Sequence, residues 1–244
     1  MTQIAAESNR RCDTRRVALL LFTAAIAACG GGGDDNGNPG LPLPPPAPVC
    51  VASAPLPAPA PGAQDPQVTL RFANGSGVNG DVVLTLNRTQ SPLTVVNFLN
   101  YVNNGFYNCT VIHRHSPGFV LQGGAYAAPL AIGGTPPLPK ITGQPIALED
   151  SNGLSNVRLS IAMARTDQPN SATSQFFINL ANNGSRLDRQ GASRGYAVFG
   201  NITAGADVIT AITAARCTFW SQLVFDGECV PDPNVILMSA VQTR

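Results

Sequence analysis

The sequence predicts a mainly β domain, a closed barrel with its ends plugged by helices, behind an N-terminal segment that does not pack. Three observations predict this. After Gln67 the chain breaks into short β-rich runs separated by Gly, Asn and Pro. Only two stretches within that region carry a helical period. Before it the chain is leader-like, then rich in Gly and Pro, a composition that cannot build a core.

Taken in order, Arg10, Arg11, Arg15 and Arg16 precede an apolar run from Val17 to Ala28. A spanning helix needs ~20 apolar residues, so residues 1–28 read as a signal peptide. The run ends Ile26-Ala27-Ala28-Cys29. Small residues before a cysteine resemble the bacterial lipobox, which makes Cys29 the expected lipidation site and the bacterial cell envelope, facing the periplasm, the expected location. Gly30 in place of an aspartate slightly favours the outer membrane. Residues 29–66 read as the lipidated cysteine followed by a flexible linker. Its Pro/Ala part extends at ~3.1 Å per residue and acts as a spacer. Residues 67–244 form the folded domain.

Within that domain VTLRFA (68–73) and GDVVLTLN (80–87) alternate as strands do. Further strands are expected at TVIHRH (110–115), FVLQGG (119–124), LSIAMAR (159–165), SQFFINL (174–180), YAVFG (196–200) and NVILMSAV (234–241). SPLTVVNFLNYVNNG reads as a helix with Ser91 as cap, Pro92 in the first turn, an apolar face of Val95, Phe98, Leu99 and Val102, and Gly105 as the stop. AGADVITAITAA places Val208, Ile209 and Ile212 on one face of a second helix.

Charged residues are 12% of the chain and the net charge is +1, which excludes a nucleic-acid partner for want of a cationic surface. No carboxylate occurs between Asp81 and Glu149. Export exposes the cysteines to an oxidising compartment. Cys217 and Cys229 close a short loop, and a bridge there stabilises by ~3 kcal/mol on the chain-entropy model. For Cys50 and Cys109 pairing is arithmetically open.

The chemistry concentrates in VIHRHSPGFVLQGG (111–124), which holds both histidines of the chain. His113 and His115, two apart on a strand, are expected to share a face, but no acidic residue or third histidine lies near them, so no metal and no cofactor is expected. No serine stands in a nucleophile elbow, and neither histidine has a local carboxylate to orient it, which argues against a hydrolase. Arg114 is permanently charged, so it can donate hydrogen bonds but cannot act as a base. Read alone, it equally suits a surface ion pair.

IHRHSPGFVLQGG resembles the cyclophilin signature, and the resemblance continues through FLNYVNNGFYN (98–108), SIAMARTDQPNSATSQFFINLAN (160–182) and LDRQGASRGYAVFGNITAG (187–205). It is closest to the bacterial periplasmic-type branch and spans about residues 67–244. It implies an eight-stranded antiparallel barrel capped by two α-helices, and peptidyl-prolyl cis-trans isomerase activity on proline-containing, unfolded or flexible polypeptides. It further implies Arg114, His113, Gln122 and Phe119 as catalytic residues. Val120, Phe177 and Leu187 then wall the proline pocket with Phe119, while Ala164, Arg165, Gln175 and Tyr196 belong to the substrate groove.

Several residues depart from the family pattern. His115 and Ser116 stand where aliphatic residues are usual, Val120 where methionine is common, and Arg186 near an aromatic position important for cyclosporin, so weak cyclosporin binding is expected. Segment 126–145 is unusually Pro-rich. The alternative from another class is a non-catalytic module that holds proline-containing segments as a chaperone or envelope partner.

Overall fold

The computed structural model describes Cys50 and residues 65–244; the expected signal peptide, Cys29 and nearly all of the linker lie outside the described residues. The eight expected strands form in order: β1 (Gln67–Ala73), β2 (Asn79–Leu86), β3 (Thr110–Ser116), β4 (Val120–Ala127), β5 (Ser160–Met163), β6 (Phe176–Asn179), β7 (Val198–Ala204) and, after a two-stranded β8 (Cys217–Thr218)–β9 (Val230–Pro231) ribbon, β10 (Ile236–Gln242). They close into a barrel in the order β1-β10-β3-β4-β6-β5-β7-β2, with every neighbouring pair antiparallel. Full closure leaves the barrel no unpaired edge.

The two long helices are where the apolar periodicity puts them, α1 at Pro92–Asn103 and α3 at Ala206–Ala214. Val95, Phe98, Leu99 and Val102 of α1 and Val208, Ile209 and Ile212 of α3 join Leu70, Phe72, Leu84, Tyr107, Phe176 and Phe199 in one core. Phe98 anchors that core, packing edge-on to Phe176 and tilted against Tyr107 and Phe199. A third helix, the single turn α2 (Gly184–Leu187), is too short to show a periodic signal in sequence. Among the described residues no helix is long and apolar enough to cross a membrane.

The cap of α1 differs from expectation. Ser91 does not cap with its side chain; it is fully buried and its hydroxyl donates to the Val198 carbonyl at 2.7 Å. The free amides of the first turn are met instead by Glu149, which accepts from Leu93 N (3.1 Å), Thr94 N (2.8 Å) and the Thr94 hydroxyl (2.7 Å). A carboxylate there also faces the positive end of the helix dipole. The long irregular stretch between β4 and β5 thus brings in the anion that the sequence around α1 lacks.

Both disulfides form. Cys217–Cys229 closes the expected loop, and Cys50–Cys109 joins the expected linker to the start of β3. That second bond ties down a residue expected to belong to a free spacer. Substituting Glu149 with alanine should destabilise the domain by about 1–2 kcal/mol, as loss of a helix cap does. The expected readout is a melting point lower by a few degrees with isomerase activity retained.

Candidate active site

The groove is built by two-sided burial. Along β4, Leu121 points into the barrel core while its neighbours Val120 and Gln122 do not; along β6, Phe176 and Ile178 point in and Phe177 out; along β5, Ile161 and Met163 point in and Ala162 out. The outward set Val120, Ala162, Phe177, Leu187 and Val198 makes a second apolar cluster, joined by the partly buried Phe119, Ala164 and Tyr196. Strand alternation therefore forms the core and the floor of a pocket from the same short strands.

A cavity of about 360 Å³ lies on this floor, and every groove residue anticipated from the sequence lines it: His113, Arg114, Phe119, Val120, Gln122, Ala164, Arg165, Gln175, Phe177, Leu187 and Tyr196. Tyr126, Leu223 and Phe225 line it too and had no signal in the sequence. Phe119 is fixed through its backbone, its carbonyl accepting from Leu180 N and Asn183 Nδ2, both at 2.9 Å. Phe177 meets Tyr196 edge-on with centroids 5.5 Å apart. A larger depression of about 640 Å³ beside α1, lined by Leu93, Val96, Tyr101 and Ile146 among others, holds no acidic, basic or imidazole group.

Arg114 sits at the rim of the pocket with its side chain 23% exposed. Its Nη1 donates to Gln122 Oε1 at 2.8 Å, and Gln122 Nε2 donates to Gln175 Oε1 at 2.9 Å. Its other edge is bound side-on by Glu228, with Nε donating to Oε2 at 2.8 Å and Nη2 to Oε1. The ion pair that suits an isolated arginine is therefore present, inside the groove, and its carboxylate lies 114 residues along the chain. Burial alone would push the Glu228 carboxyl up. Hydrogen bonds from Arg114 and the Phe225 amide, the guanidinium charge and the Ser116 hydroxyl outweigh it and hold the pKa below the ordinary value.

Arg165 reaches the groove but spends its N–H groups on carbonyls of Gly195 (3.1 Å), Arg194 (3.0 Å) and Thr166 (2.8 Å), and its guanidinium stacks on Tyr196. It offers the groove a fixed wall more than a free donor.

The two histidines do not act together. The β3–β4 register is irregular between Ile112 and Arg114. His113 lines the groove against Tyr126, whereas His115 borders a different cavity with Pro117, Leu159 and Ile209. The expectation of a shared face fails because a register irregularity breaks the strict two-residue alternation. His115 Nδ1 lies 3.8 and 3.9 Å from Cys217 and Cys229 Sγ, both already spent in the disulfide. His113 is 4% exposed. Its burial, and next the charge of Arg114, lower its pKa to about 4, so it is neutral at pH 7.

An aromatic-walled pocket beside an immobilised guanidinium thus lies on the outer face of a closed antiparallel barrel. A family model for cyclophilin type peptidyl-prolyl cis-trans isomerase/CLD matches residues 69–239, so the chain belongs to the cyclophilin-type peptidyl-prolyl cis-trans isomerases and is an enzyme of that class. It is 40% identical to peptidyl-prolyl cis-trans isomerase A of Dickeya dadantii (strain 3937) over 161 residues, 66% of this chain and 78% of the relative. It is 42% identical to peptidyl-prolyl cis-trans isomerase B of Escherichia coli (strain K12) over 137 residues, 55% and 79% of the two chains. The crystal structure of a Cryptosporidium parvum cyclophilin type peptidyl-prolyl cis-trans isomerase shares the fold, with a TM-score of 0.55 at 21% identity over 74% of this chain and 98% of that one.

The depressed pKa of His113 has a stability consequence. Above the unfolded value near 6.5 the imidazole is neutral in both states and its contribution is fully present. As pH falls from there toward about 4, only the unfolded chain takes up the proton, so stability is lost. The loss reaches roughly 3 kcal/mol at ~1.4 kcal/mol per pKa unit. Urea midpoints measured from pH 7 to 4 should fall in the wild type, and the fall should flatten between pH 6.5 and 5 in His113→Phe.

Proposed function

We propose that the enzyme accelerates X–Pro rotation in exported, unfolded or flexible polypeptides by a hydrogen bond from Arg114 to the twisted prolyl amide. Amide resonance sets a barrier of ~18–20 kcal/mol. At the twisted geometry resonance is lost and the proline nitrogen gains a localised lone pair. A donor aimed at that nitrogen binds the transition state better than either planar ground state. The observation that carries this reading is the fixed Arg114 guanidinium, held by Gln122 and Glu228 at the rim of the pocket formed by Phe119, Val120, Phe177 and Leu187.

The pocket takes the proline ring by apolar contact and excludes water from the amide, which strengthens a charge-assisted hydrogen bond. Gln122 and Gln175, already joined to each other, present polar atoms to the substrate backbone. His113, neutral and buried, lines the groove and moves no proton. The Arg186 guanidinium lies 4.3 Å from the Phe119 ring centroid and puts a charge at the pocket rim, in keeping with weak cyclosporin binding.

One well-placed donor contributes ~3–4 kcal/mol, or roughly 10²- to 10³-fold in rate. Arg114→Ala should lose about that factor in kcat/KM on an Ala-Pro peptide, followed by protease-coupled absorbance or exchange NMR, with the fold intact by circular dichroism. Peptide binding without rate enhancement in the wild type would select the non-catalytic module instead.

The same proposal places the enzyme at the periplasmic face of a bacterial membrane, slightly favouring the outer one, through lipid on Cys29. Cys29→Ser should move the protein from the membrane fraction to the soluble one. Retention of the Cys29→Ser protein in the membrane would assign anchoring to the apolar segment 17–28.

A further inference from the structure

Glu228 arrives at Arg114 on a loop that is fastened at several points. Cys217–Cys229 and the β8–β9 ribbon close it, and Asp232 ties its base by accepting from Arg216 Nη2 (3.0 Å) and Thr218 Oγ1 (2.9 Å). Trp220, Val224 and Val230 bury it against Val111 and Ile236 on the outer face of the barrel. The residue next to Glu228 is stitched to the end of β3: His115 N donates to Cys229 O at 2.7 Å and Cys229 N to His115 O at 2.9 Å. The Glu228 side chain is 9% exposed, and its carboxylate accepts from Phe225 N at 3.2 Å within its own loop and interacts with the Ser116 hydroxyl.

These contacts account for His115 and Ser116, two of the three departures in the signature motif. His115 packs on the disulfide, and Ser116 faces Glu228, where aliphatic residues would offer the carboxylate no donor. The motif and the loop are two halves of one contact.

We infer that Glu228 is a positioning residue for Arg114, and that the Cys217–Cys229 loop is part of the active site because it fixes Glu228. A guanidinium on a flexible stem loses orientation unless acceptors hold its plane. Glu228 takes Nε and one edge of Nη2, and Gln122 takes one edge of Nη1. The remaining N–H groups are left to face the groove in a single orientation, with no reorganisation needed when the amide twists. Pairing also withdraws some charge from the guanidinium. The inference commits to orientation as the larger effect, since the donor must reach one atom of a short-lived geometry.

This proposal rests on the role proposed for Arg114, and its test separates the two. On the full-length protein with an Ala-Pro peptide, Glu228→Ala should lower kcat/KM about tenfold, carried by kcat with KM within about twofold, and Glu228→Gln should lie between it and the wild type. Opening the loop in Cys217→Ser/Cys229→Ser should cost a similar factor in the wild-type background and add nothing to Glu228→Ala, because both act through one contact. Fluorescence of Trp220, the single tryptophan, reports whether the loop stays docked, and the Arg114 Nε–H signal in ¹⁵N NMR should broaden or shift in Glu228→Ala. Unchanged or raised kcat/KM in Glu228→Ala, or additive losses in the combined variant, would overturn the proposal. Loss of activity in Arg114→Ala with no effect of Glu228→Ala sinks only the role of Glu228. Full activity in Arg114→Ala sinks the role of Arg114 itself.

Discussion

The structure depends on strands that must bury both faces. β5 and β6 are four residues long and every residue in them is buried. One face fills the barrel and the other floors the groove, so the floor of the pocket is tied to the core. Phe177 cannot shift without dragging Phe176 and Ile178, which are packed against α1 and the opposite strands. A wall of that stiffness suits a reaction that makes and breaks no covalent bond.

Such a floor is apolar, and the polar groups set into it need partners. Arg114 has Glu228 and Gln122; Gln122 has Gln175; Asn183 bonds both Asn179 and the Phe119 carbonyl. Asp150 and Asp188 play the same part in the surrounding loops. Asp150 holds the segment around Gly195, and Asp188 accepts from Ser155 and from the backbone and side chain of Asn156. For both, burial opposes ionisation, yet the pKa is lowered: at Asp150 by the Gly195 amide and the charges of Arg189 and Arg194, at Asp188 by its Ser155 and Asn156 donors. Buried polar atoms that are satisfied in this way rigidify their surroundings, while an unsatisfied one would cost stability.

Much of this was legible in the chain. The strands announced themselves by period-two runs between Gly, Asn and Pro, and α1 and α3 by their apolar stripes, because core burial forces those periods on any sequence that folds this way. The groove residues were readable only through the family motif: Phe177 in SQFFINL looks like any core phenylalanine, and alternation alone does not say which side will hold a ligand. Ser91 misled because a serine ahead of Pro92 has the local form of a cap, whereas its hydroxyl was needed by the buried Val198 carbonyl. The histidines part company because a register irregularity, which leaves no mark in the sequence, breaks strict alternation between them.

The sequence by itself determined what depends on neighbours along the chain: the strands, the two long helices, the loop that Cys217 and Cys229 close, and the His-Arg motif with its turn. Only the tertiary structure decided what depends on meetings across the chain. Glu149 reached α1 from 55 residues away, Glu228 reached Arg114 from 114, and Cys50 reached Cys109 through an expected linker. The physical reason is the range of the forces. Periodicity and turn chemistry act over a few residues and leave a local imprint. A carboxylate and a guanidinium attract through space, so their pairing exists only once the barrel has brought distant loops to the same face.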